Sequence, residues 1–231
     1  MIFNYYGDDD NPIVEVALRN NEKIRLESGA MVYMQDVALE GKANADKGGV
    51  GGFFKAIGRA IATGESFFIT TATGQSDAAR IGIAPAVPGT IAKLEVGERQ
   101  YRLNTGAFLA CDDTVAYEVK SQSFGKALFG GTGGLFIMET KGYGDLLVNA
   151  FSSMIELTVT PDRPLVIDNM HVVAWDSTLD YEIRPASGII GFKSGEGLVN
   201  EFKGNGRVLV QTRNIYNLAM QISPYIPKSS S

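Results

Sequence analysis

The side chains that most often act as nucleophiles and general bases are scarce in this chain of 231 residues. Its one histidine is His171 and its one cysteine is Cys111, so a serine–histidine–aspartate or cysteine–histidine centre would have to use one of them. His171 lies at the start of an apolar segment beside Asp168 and Asn169, which is typical of a structural histidine. Cys111 ends an apolar run and resembles a small core residue. We predict no catalytic residues, and the sequence favours a non-enzymatic protein.

Acidic side chains could form a metal site, because carboxylates bind Ca²⁺ and Mg²⁺. Asp36, Asp113 and Asp176 each follow an apolar segment, as does Asp112, and three equivalent acids could converge on one axis. Such acids are more often turn residues that bond to the local backbone. With one histidine and one cysteine, a closed zinc site cannot form. We therefore expect no metal site and no cofactor.

The apolar segments before these acids recur along the chain with a regular spacing. Gly29 and Gly106 occupy matching places 77 positions apart, and Met170 follows 64 positions later. A second recurring segment gives offsets of 68 and 72 positions between its successive copies, and we call the two recurring segments landmarks. Two landmarks with the same order and spacing predict tandem repeats. The aligned segments are 24–36, 101–113 and 165–176 for the first landmark, and 67–74, 135–142 and, more loosely, 208–214 for the second.

Each repeat contains short segments in which apolar and polar residues alternate between turn residues, and this pattern is typical of strands. The continuous apolar run 108–111 predicts a strand buried on both faces. The fold class is therefore all-β, with three tandem β-sandwich repeats around a pseudo-threefold axis that cover one another's edges. They form one compact unit over 1–231, with repeats at about 1–90, 91–154 and 155–227. The main predicted strands are 13–18, 23–26, 79–83, 92–96, 115–120, 145–149, 155–159, 179–184 and, at the end, 215–220.

Glycine-rich insertions interrupt the repeats at 47–65 and 123–134, and a shorter, more polar one lies at 191–197. The first contains a predicted short amphipathic helix over 53–62. One interpretation is that the insertions cover the open end of a sandwich, with glycines allowing tight reversals. The other is an exposed apolar surface for self-association or membrane contact; neither standard glycine-rich phosphate motif is present. The candidate interaction surface consists of Phe53, Phe54, Ile57, Ile61, Phe124, Leu128 and Phe129.

The composition and net charge restrict the classes of partner and the cellular compartment that we expect for this chain. The net charge is -5, so the chain has no electrostatic attraction to nucleic acid, and we expect none as a partner. A single cysteine excludes an intrachain disulfide and fits a reducing compartment. The first ten residues do not resemble a signal peptide, and no segment has the roughly 18 apolar residues of a membrane helix. We predict a soluble cytoplasmic protein.

The core segments and the second insertion together resemble a known family. Residues 27–31, 106–110 and 171–176 are similar to its core strands, and 124–136 is similar to its glycine-rich stretch. This is the mitochondrial biogenesis family, named for altered inheritance of mitochondria, and the resemblance covers roughly 13–220. It implies a fold like that of the tryptophan RNA-binding attenuation protein, a short double-stranded β-helix present three times in one chain. It implies no catalytic residues, and the fold alone does not carry RNA binding over.

Three functions are open at this point. The first is a non-enzymatic scaffold or interaction protein that forms a homo-oligomer. The second is a peripheral membrane factor that uses the apolar insertions, with a membrane or protein partner. The third is a small-ligand binder or hydrolase with a cleft between repeats.

Overall fold

The computed structural model describes residues 1–41, 69–121, 136–186 and 197–226. This part of the chain is predominantly antiparallel β-structure, which confirms the all-β prediction. It contains one α-helix, α1 (Ile215–Ile222), and short 3₁₀ turns at Thr105–Ala107, Asn169–His171 and Ser223–Tyr225. The strands are β1 (Ile2–Tyr6), β2 (Ile13–Leu18), β3 (Lys23–Glu27), β4 (Met31–Gln35), β5 (Val37–Gly41), β6 (Ile69–Gly74), β7 (Ala79–Ile83), β8 (Ile91–Val96), β9 (Tyr101–Asn104), β10 (Phe108–Asp112), β11 (Val115–Ser121), β12 (Phe136–Gly142), β13 (Gly144–Asn149), β14 (Met154–Val159), β15 (Leu165–Asp168), β16 (Val172–Asp176), β17 (Asp180–Pro185), β18 (Leu198–Lys203) and β19 (Gly206–Gln211).

These strands form four antiparallel sheets. The first has the order β1-β2-β7-β4, and the last has the order β15-β18-β17. The two sheets of six strands have the orders β5-β6-β3-β10-β13-β8 and β11-β12-β9-β16-β19-β14. In each of these sheets the two halves meet at one pair of strands, β3 with β10 and β9 with β16. We call these two pairs the internal junctions.

The apolar core is divided into three clusters, each built from neighbouring sheets. The first joins side chains of β2 and β7 to side chains of β3, β6, β10 and β13. The second joins β10 and β13 to β9, β12 and β16. The third joins β16 and β19 to β17 and β18. No strand contributes buried residues to both the first and the third cluster, so the two ends of the described structure have separate cores.

Strands β10 and β16 belong to two clusters at once. In β10, Phe108 packs in the second cluster and Leu109 packs in the first. In β16, Val172 packs in the third cluster and Val173 in the second. All four residues are buried. This confirms the prediction that a continuous apolar run here forms a strand buried on both faces.

The connection from β7 to β8 passes close to the connection from β13 to β14. Gly89 forms a bridge with Ser152, and its φ of +153° lies in a region that L side chains rarely adopt. A Cβ atom at Gly89 would lie 1.9 Å from the carbonyl oxygen of Ala150. Only glycine fits this crossing, which holds the two connections together.

Two parts of the chain differ from the sequence predictions. Residues 215–220 were predicted as a strand and instead form α1. Asn214 caps this helix, because its side-chain oxygen accepts a hydrogen bond of 2.8 Å from the backbone N–H of Asn217. Strand β1 was not predicted, and it pairs along its full length with β2. The helix predicted over 53–62 lies outside the described residues.

Candidate functional site

His171 uses both ring nitrogens in contacts with its own chain. Nδ1 lies 2.7 Å from the carbonyl oxygen of Gln211, and Nε2 lies 2.9 Å from the Asn214 side-chain nitrogen. These partners fit a neutral ring in which Nδ1–H donates to the carbonyl and Nε2 accepts from the amide. Asp168 accepts a hydrogen bond from the Met170 backbone N–H at 2.8 Å and does not hold the histidine ring. This geometry links the start of β16 to the residue that caps α1.

Cys111 has the properties of a core residue. Its side chain is buried in the second cluster, and burial raises the pKa of the thiol to about 12. The thiol therefore stays protonated at neutral pH, and a protonated thiol is a poor nucleophile. Neither of the two residues that the sequence suggested for nucleophilic chemistry is placed to perform it.

The three acids that could have converged lie in different surroundings. Asp36 accepts from the Ser76 hydroxyl at 3.1 Å, and Asp113 forms an ion pair of 2.7 Å with Arg25. Asp176 is buried, and its Oδ2 accepts from the Arg207 backbone N–H at 2.9 Å. Within the described ranges, no group of three or more histidine, cysteine or acidic side chains could hold a metal ion.

Two cavities in the described structure bear on the prediction of a cleft for a ligand or a hydrolase. One, of about 10 Å³, lies beside Asp176, Arg207 and Trp175, and its volume suits a single water molecule. The other, of about 190 Å³, is lined by residues 11–13 and 84–89. None of these lining residues carries an ionisable side chain. A hydrolase cleft gains no support from either cavity.

The most unusual surface is strand β4, which is exposed over its whole length. Met31, Val32, Tyr33 and Met34 expose 40%, 52%, 38% and 46% of their surface. Soluble proteins seldom expose a continuous apolar edge strand, because its free backbone groups and apolar side chains attract another chain. In the first sheet β4 has β7 on one side and no strand of the described structure on the other.

Hydrogen bonds hold two side chains of β4, those of Tyr33 and Gln35, against neighbouring strands. The Tyr33 hydroxyl donates a bond of 2.8 Å to Glu15, whose side chain is largely buried, and this bond raises the pKa of the tyrosine above its ordinary value. The Tyr33 ring lies over Gly82, where a Cβ atom would be 2.3 Å from the ring. Gln35 accepts bonds of 3.1 and 2.9 Å from the Arg80 guanidinium. Tyr33 and Gln35 are therefore held by contacts within the chain itself.

Helix α1 is a second exposed apolar element. Ile215, Leu218 and Ile222 have the spacing of one helix face, and they expose 52%, 40% and 46% of their surface. The helix contains no buried residue and no charged side chain in its first or last turn. Among the described residues, no helix is long and apolar enough to cross a membrane.

The surface predicted from the glycine-rich insertions cannot be placed beside these elements. Phe53, Phe54, Ile57 and Ile61 of the first insertion lie outside the described residues. The same is true of Phe124, Leu128 and Phe129 of the second. The exposed strand and helix are therefore new candidates. The spacing of α1 could have revealed the helix from the sequence, whereas nothing in the composition of β4 separates it from a core strand.

Comparison with known proteins places this architecture in a family. The family model described as "Mitochondrial biogenesis AIM24" matches residues 3–213. The chain belongs to the mitochondrial biogenesis AIM24 family. This confirms the resemblance noted in the sequence.

The relatives of this AIM24 family member agree in length and fold. An uncharacterised protein from Streptococcus pyogenes serotype M6 is 44% identical over 222 residues, covering 95% of this chain and 89% of that protein. The crystal structure of protein SPYM3_0169 from Streptococcus pyogenes, a structural genomics target, is 39% identical and has a TM-score of 0.80. That similarity covers 97% of this chain and 99% of the other. Neither description names an activity or a partner, so function has to be argued from the surface.

Proposed function

We propose that this protein is a non-enzymatic scaffold whose copies associate through the exposed apolar strand β4. The observation that carries the proposal is the contrast between β4 and the two similar strands in the core. β4 contains four consecutive apolar residues that are each more than a third exposed, whereas the apolar residues of β10 and β16 are buried. Burying such an edge is favourable at about 25 cal/mol for each Å² of apolar surface removed from water.

The proposal includes an organisation of the chain as three consecutive repeats, at about 1–90, 91–154 and 155–227. Its support is a recurring strand order. In the groups β2–β7, β8–β13 and β14–β19, the sixth strand lies between the first and the third, and the fifth lies between the fourth and the second. Strand β1 is an addition beside the first group. The likeness to the tryptophan RNA-binding attenuation protein remains a prediction.

We infer an open row of repeats within one chain in place of a closed pseudo-threefold arrangement. The second strand of one group pairs with the third strand of the next at both internal junctions. Closure would require the same pairing between β15 and β4. In the described structure, β15 and β4 are instead the edges of two different sheets. This arrangement leaves one junction strand unpaired at each end of the row, β4 at the first end and β15 at the last.

The strand order also changes one alignment made from the sequence. The second landmark was placed in the third repeat at 208–214, which is mostly β19. By strand order, the counterpart of β6 and β12 is β18, because each is the fifth strand of its group and pairs with the second and the fourth. The third repeat therefore ends with β19, and α1 follows it as a separate element.

Sedimentation velocity over a wide concentration range tests the scaffold proposal. We expect the average mass to rise above the 24.8 kDa of one chain as the concentration increases. Met34→Asp should return the mass to that of a monomer, because it places a charge in the apolar edge. Val119→Asp is the matched control, since Val119 is a similarly exposed apolar residue on β11. A strict monomer at every concentration would contradict the proposal.

A second candidate function, peripheral membrane contact, is favoured by one specific observation. The apolar face of α1 is exposed and uncharged, as in helices that lie in the membrane interface. Liposome flotation with neutral and anionic vesicles tests it. Leu218→Asp should abolish binding and Asn217→Asp, on the polar face, should not. Wild-type protein that never floats would exclude this function.

A cytoplasmic location is the remaining part of the proposal. Its support is the single buried cysteine, which suits a reducing compartment where disulfides are rare. Fractionation of cells that produce a tagged chain tests the location. Recovery with the soluble fraction at low and high salt would agree with it.

A further inference from the structure

We propose that the partner is a second copy of this chain, and that β15 of one copy pairs antiparallel with β4 of the next. The inference rests on the proposed self-association and names the surfaces through which it occurs. In the described structure, the two strands that could form a further junction are both unpaired on one side: β15 at an edge of the last sheet and β4 at an edge of the first. Pairing them would create a sheet with the order β17-β18-β15-β4-β7-β2-β1.

The internal junctions show what such a pairing looks like when it is formed. At the first junction, Ala110 lies opposite Leu26, and Cys111 lies opposite Arg25. At the second, Ala174 lies opposite Leu103, and Trp175 lies opposite Arg102. The two junctions thus use the same antiparallel register between the second strand of one group and the third strand of the next.

Strand β4 has the same local geometry as the third strands that take part in these junctions. Its pairing with β7 is interrupted by a shift between Met31 and Tyr33. The pairing of β10 with β13 shifts between Phe108 and Ala110, and the pairing of β16 with β19 shifts between Val172 and Ala174. Because the irregularity falls at the same step in all three strands, Tyr33 corresponds to Ala110, and Met34 corresponds to Cys111.

Transferring the register to the free edges gives a specific set of contacts. The residues of β15 that correspond to Leu26 and Arg25 are Ile167 and Val166. Tyr33 of one copy would therefore lie opposite Ile167 of the next, and Met34 would lie opposite Val166. Val166 exposes 49% of its surface, and Met34 exposes 46%, so each supplies an apolar contact that the other lacks.

The two free edges lack a contact that both internal junctions have, and both of its partners are replaced by apolar residues. At the internal junctions an arginine lies over a tyrosine of the next group: Arg25 is 5.9 Å from the Tyr117 ring centre, and Arg102 is 5.5 Å from that of Tyr181. On β15 the arginine is replaced by Val166.

The matching tyrosine is also replaced on the side of β4. Val37 and Val115 each pair with the final glycine of the following strand, Gly74 or Gly142. By this register, Leu39 of β5 corresponds to Tyr117 of β11. A valine facing a leucine keeps the new junction apolar on both sides, so no buried charge is left without a partner.

The two free edges have different sequences, so the contact is heterologous. A heterologous contact produces a row that grows at both ends, or a ring if the rotation between copies closes. It does not produce a closed pair in which both copies use the same strand. Cross-linking between two different single-cysteine variants can therefore distinguish a heterologous contact from a symmetric one.

Disulfide capture between two variants tests the pairing in the full-length chain. Met34→Cys and Val166→Cys are prepared separately, mixed and oxidised, and the native Cys111 is left in place because it is buried. Residues directly opposite each other in an antiparallel pair are close enough for a disulfide. We expect at least about tenfold more covalent dimer in the mixture than in either variant alone. The matched control is a mixture of Met34→Cys with Val119→Cys, which should give no more dimer than its components.

The outcomes separate failure of this pairing from failure of self-association. If sedimentation shows oligomers but Met34→Cys alone forms the covalent dimer, the copies associate through β4 in both partners, and the β15 pairing is overturned. If a chain that carries both Met34→Cys and Val166→Cys cross-links within itself and remains monomeric, β15 and β4 close on each other, and the pairing between copies is overturned. If wild-type protein stays monomeric at every concentration, the proposed function fails as well.

A second variant tests the pairing with a substitution that should leave the chain folded. Val166→Asp changes an exposed residue at the opposite end of the row from Met34, so the fold should be retained, as far-UV circular dichroism would verify. Its self-association should be at least about tenfold weaker than that of the wild type. Unchanged association of a folded Val166→Asp chain would overturn the inference.

Discussion

Strands β4 and β10 each begin with four apolar residues and lie beside the last strand of their groups, but only β10 is covered on its other side. Met31 of β4 is 40% exposed, whereas Phe108, at the same step of β10, is fully buried. The difference does not come from the strands themselves. Strand β10 is covered because β3 pairs with its free side, and β4 has no such neighbour in the described structure. An apolar strand of this kind is a core strand only when the preceding repeat supplies a strand to pair with it.

The largest effect should come from truncating the same position in the two strands. Phe108→Ala leaves a cavity in a packed core, and we expect it to lower the free energy of unfolding by about 3–5 kcal/mol. Met31→Ala removes an exposed side chain and should lower it by less than about 0.5 kcal/mol. Urea denaturation followed by circular dichroism measures both. Equal losses would show that β4 is covered in the isolated chain and would break the comparison.

An intermediate effect should come from the arginine that joins two groups of strands. Arg102 forms an ion pair of 3.1 Å with Glu139 and donates a hydrogen bond of 3.1 Å to the Leu179 carbonyl oxygen. Arg102→Ala removes both contacts together with the packing of the guanidinium over the Tyr181 ring, and we expect a loss of about 2 kcal/mol. Val166→Ala, at the corresponding position of the free edge, is the control and should change the monomer's stability by less than about 0.5 kcal/mol. A neutral Arg102→Ala substitution would show that strand pairing alone holds the junction.

The smallest effect should be a pH dependence located at the first junction. Burial raises the pKa of Glu27, at the end of β3, from an ordinary value of 4.5 to about 7. The folded state therefore binds this proton more tightly than the unfolded state, and stability falls as the pH rises from about 4.5 to about 7. Glu27→Gln should remove this loss and be more stable than wild type at pH 8 by about 1–2 kcal/mol, allowing for partial exposure.

Denaturation of wild type and Glu27→Gln at several pH values measures this effect. The difference in unfolding free energy between the two proteins should be small near pH 4 and should grow until the pH passes 7. A difference that stays constant across this range would contradict the raised pKa. Since Asn104 holds the corresponding place in β9, where its amide donates a 2.7 Å hydrogen bond to the Val172 carbonyl oxygen, the second junction has no matching carboxyl group.

The sequence predicted the strands of the core well, because their patterns depend on local chemistry. Alternating residues at 13–18 and 79–83 form β2 and β7 with the predicted bounds. The continuous apolar run at Phe108 forms a strand buried on both faces. The same reasoning applied to 31–34 would have predicted a buried strand. It would have been wrong because exposure depends on which strand lies alongside, and that is a property of the assembled sheets.

The error at the end of the chain has a different origin. Residues 215–220 were assigned to a strand because the second landmark had been aligned with β19 in place of β18. Ile215, Leu218 and Ile222 have the i, i+3, i+7 spacing of a helix, and Asn214 is a preferred capping residue. These local signals indicated α1, but the repeat alignment overrode them.

The position of Trp175 determines which part of the molecule is observed when unfolding is followed by tryptophan fluorescence. It is the only tryptophan in the chain, and it packs in the third cluster, edge-on to Tyr181 and Phe202 with ring centres 5.1 and 5.5 Å away. Intrinsic fluorescence therefore reports on one end of the molecule, whereas circular dichroism averages over all the sheets. Coincident transitions from the two signals would show that separate cores unfold as one unit. Transitions at different temperatures would show that the ends melt independently, as in repeat proteins.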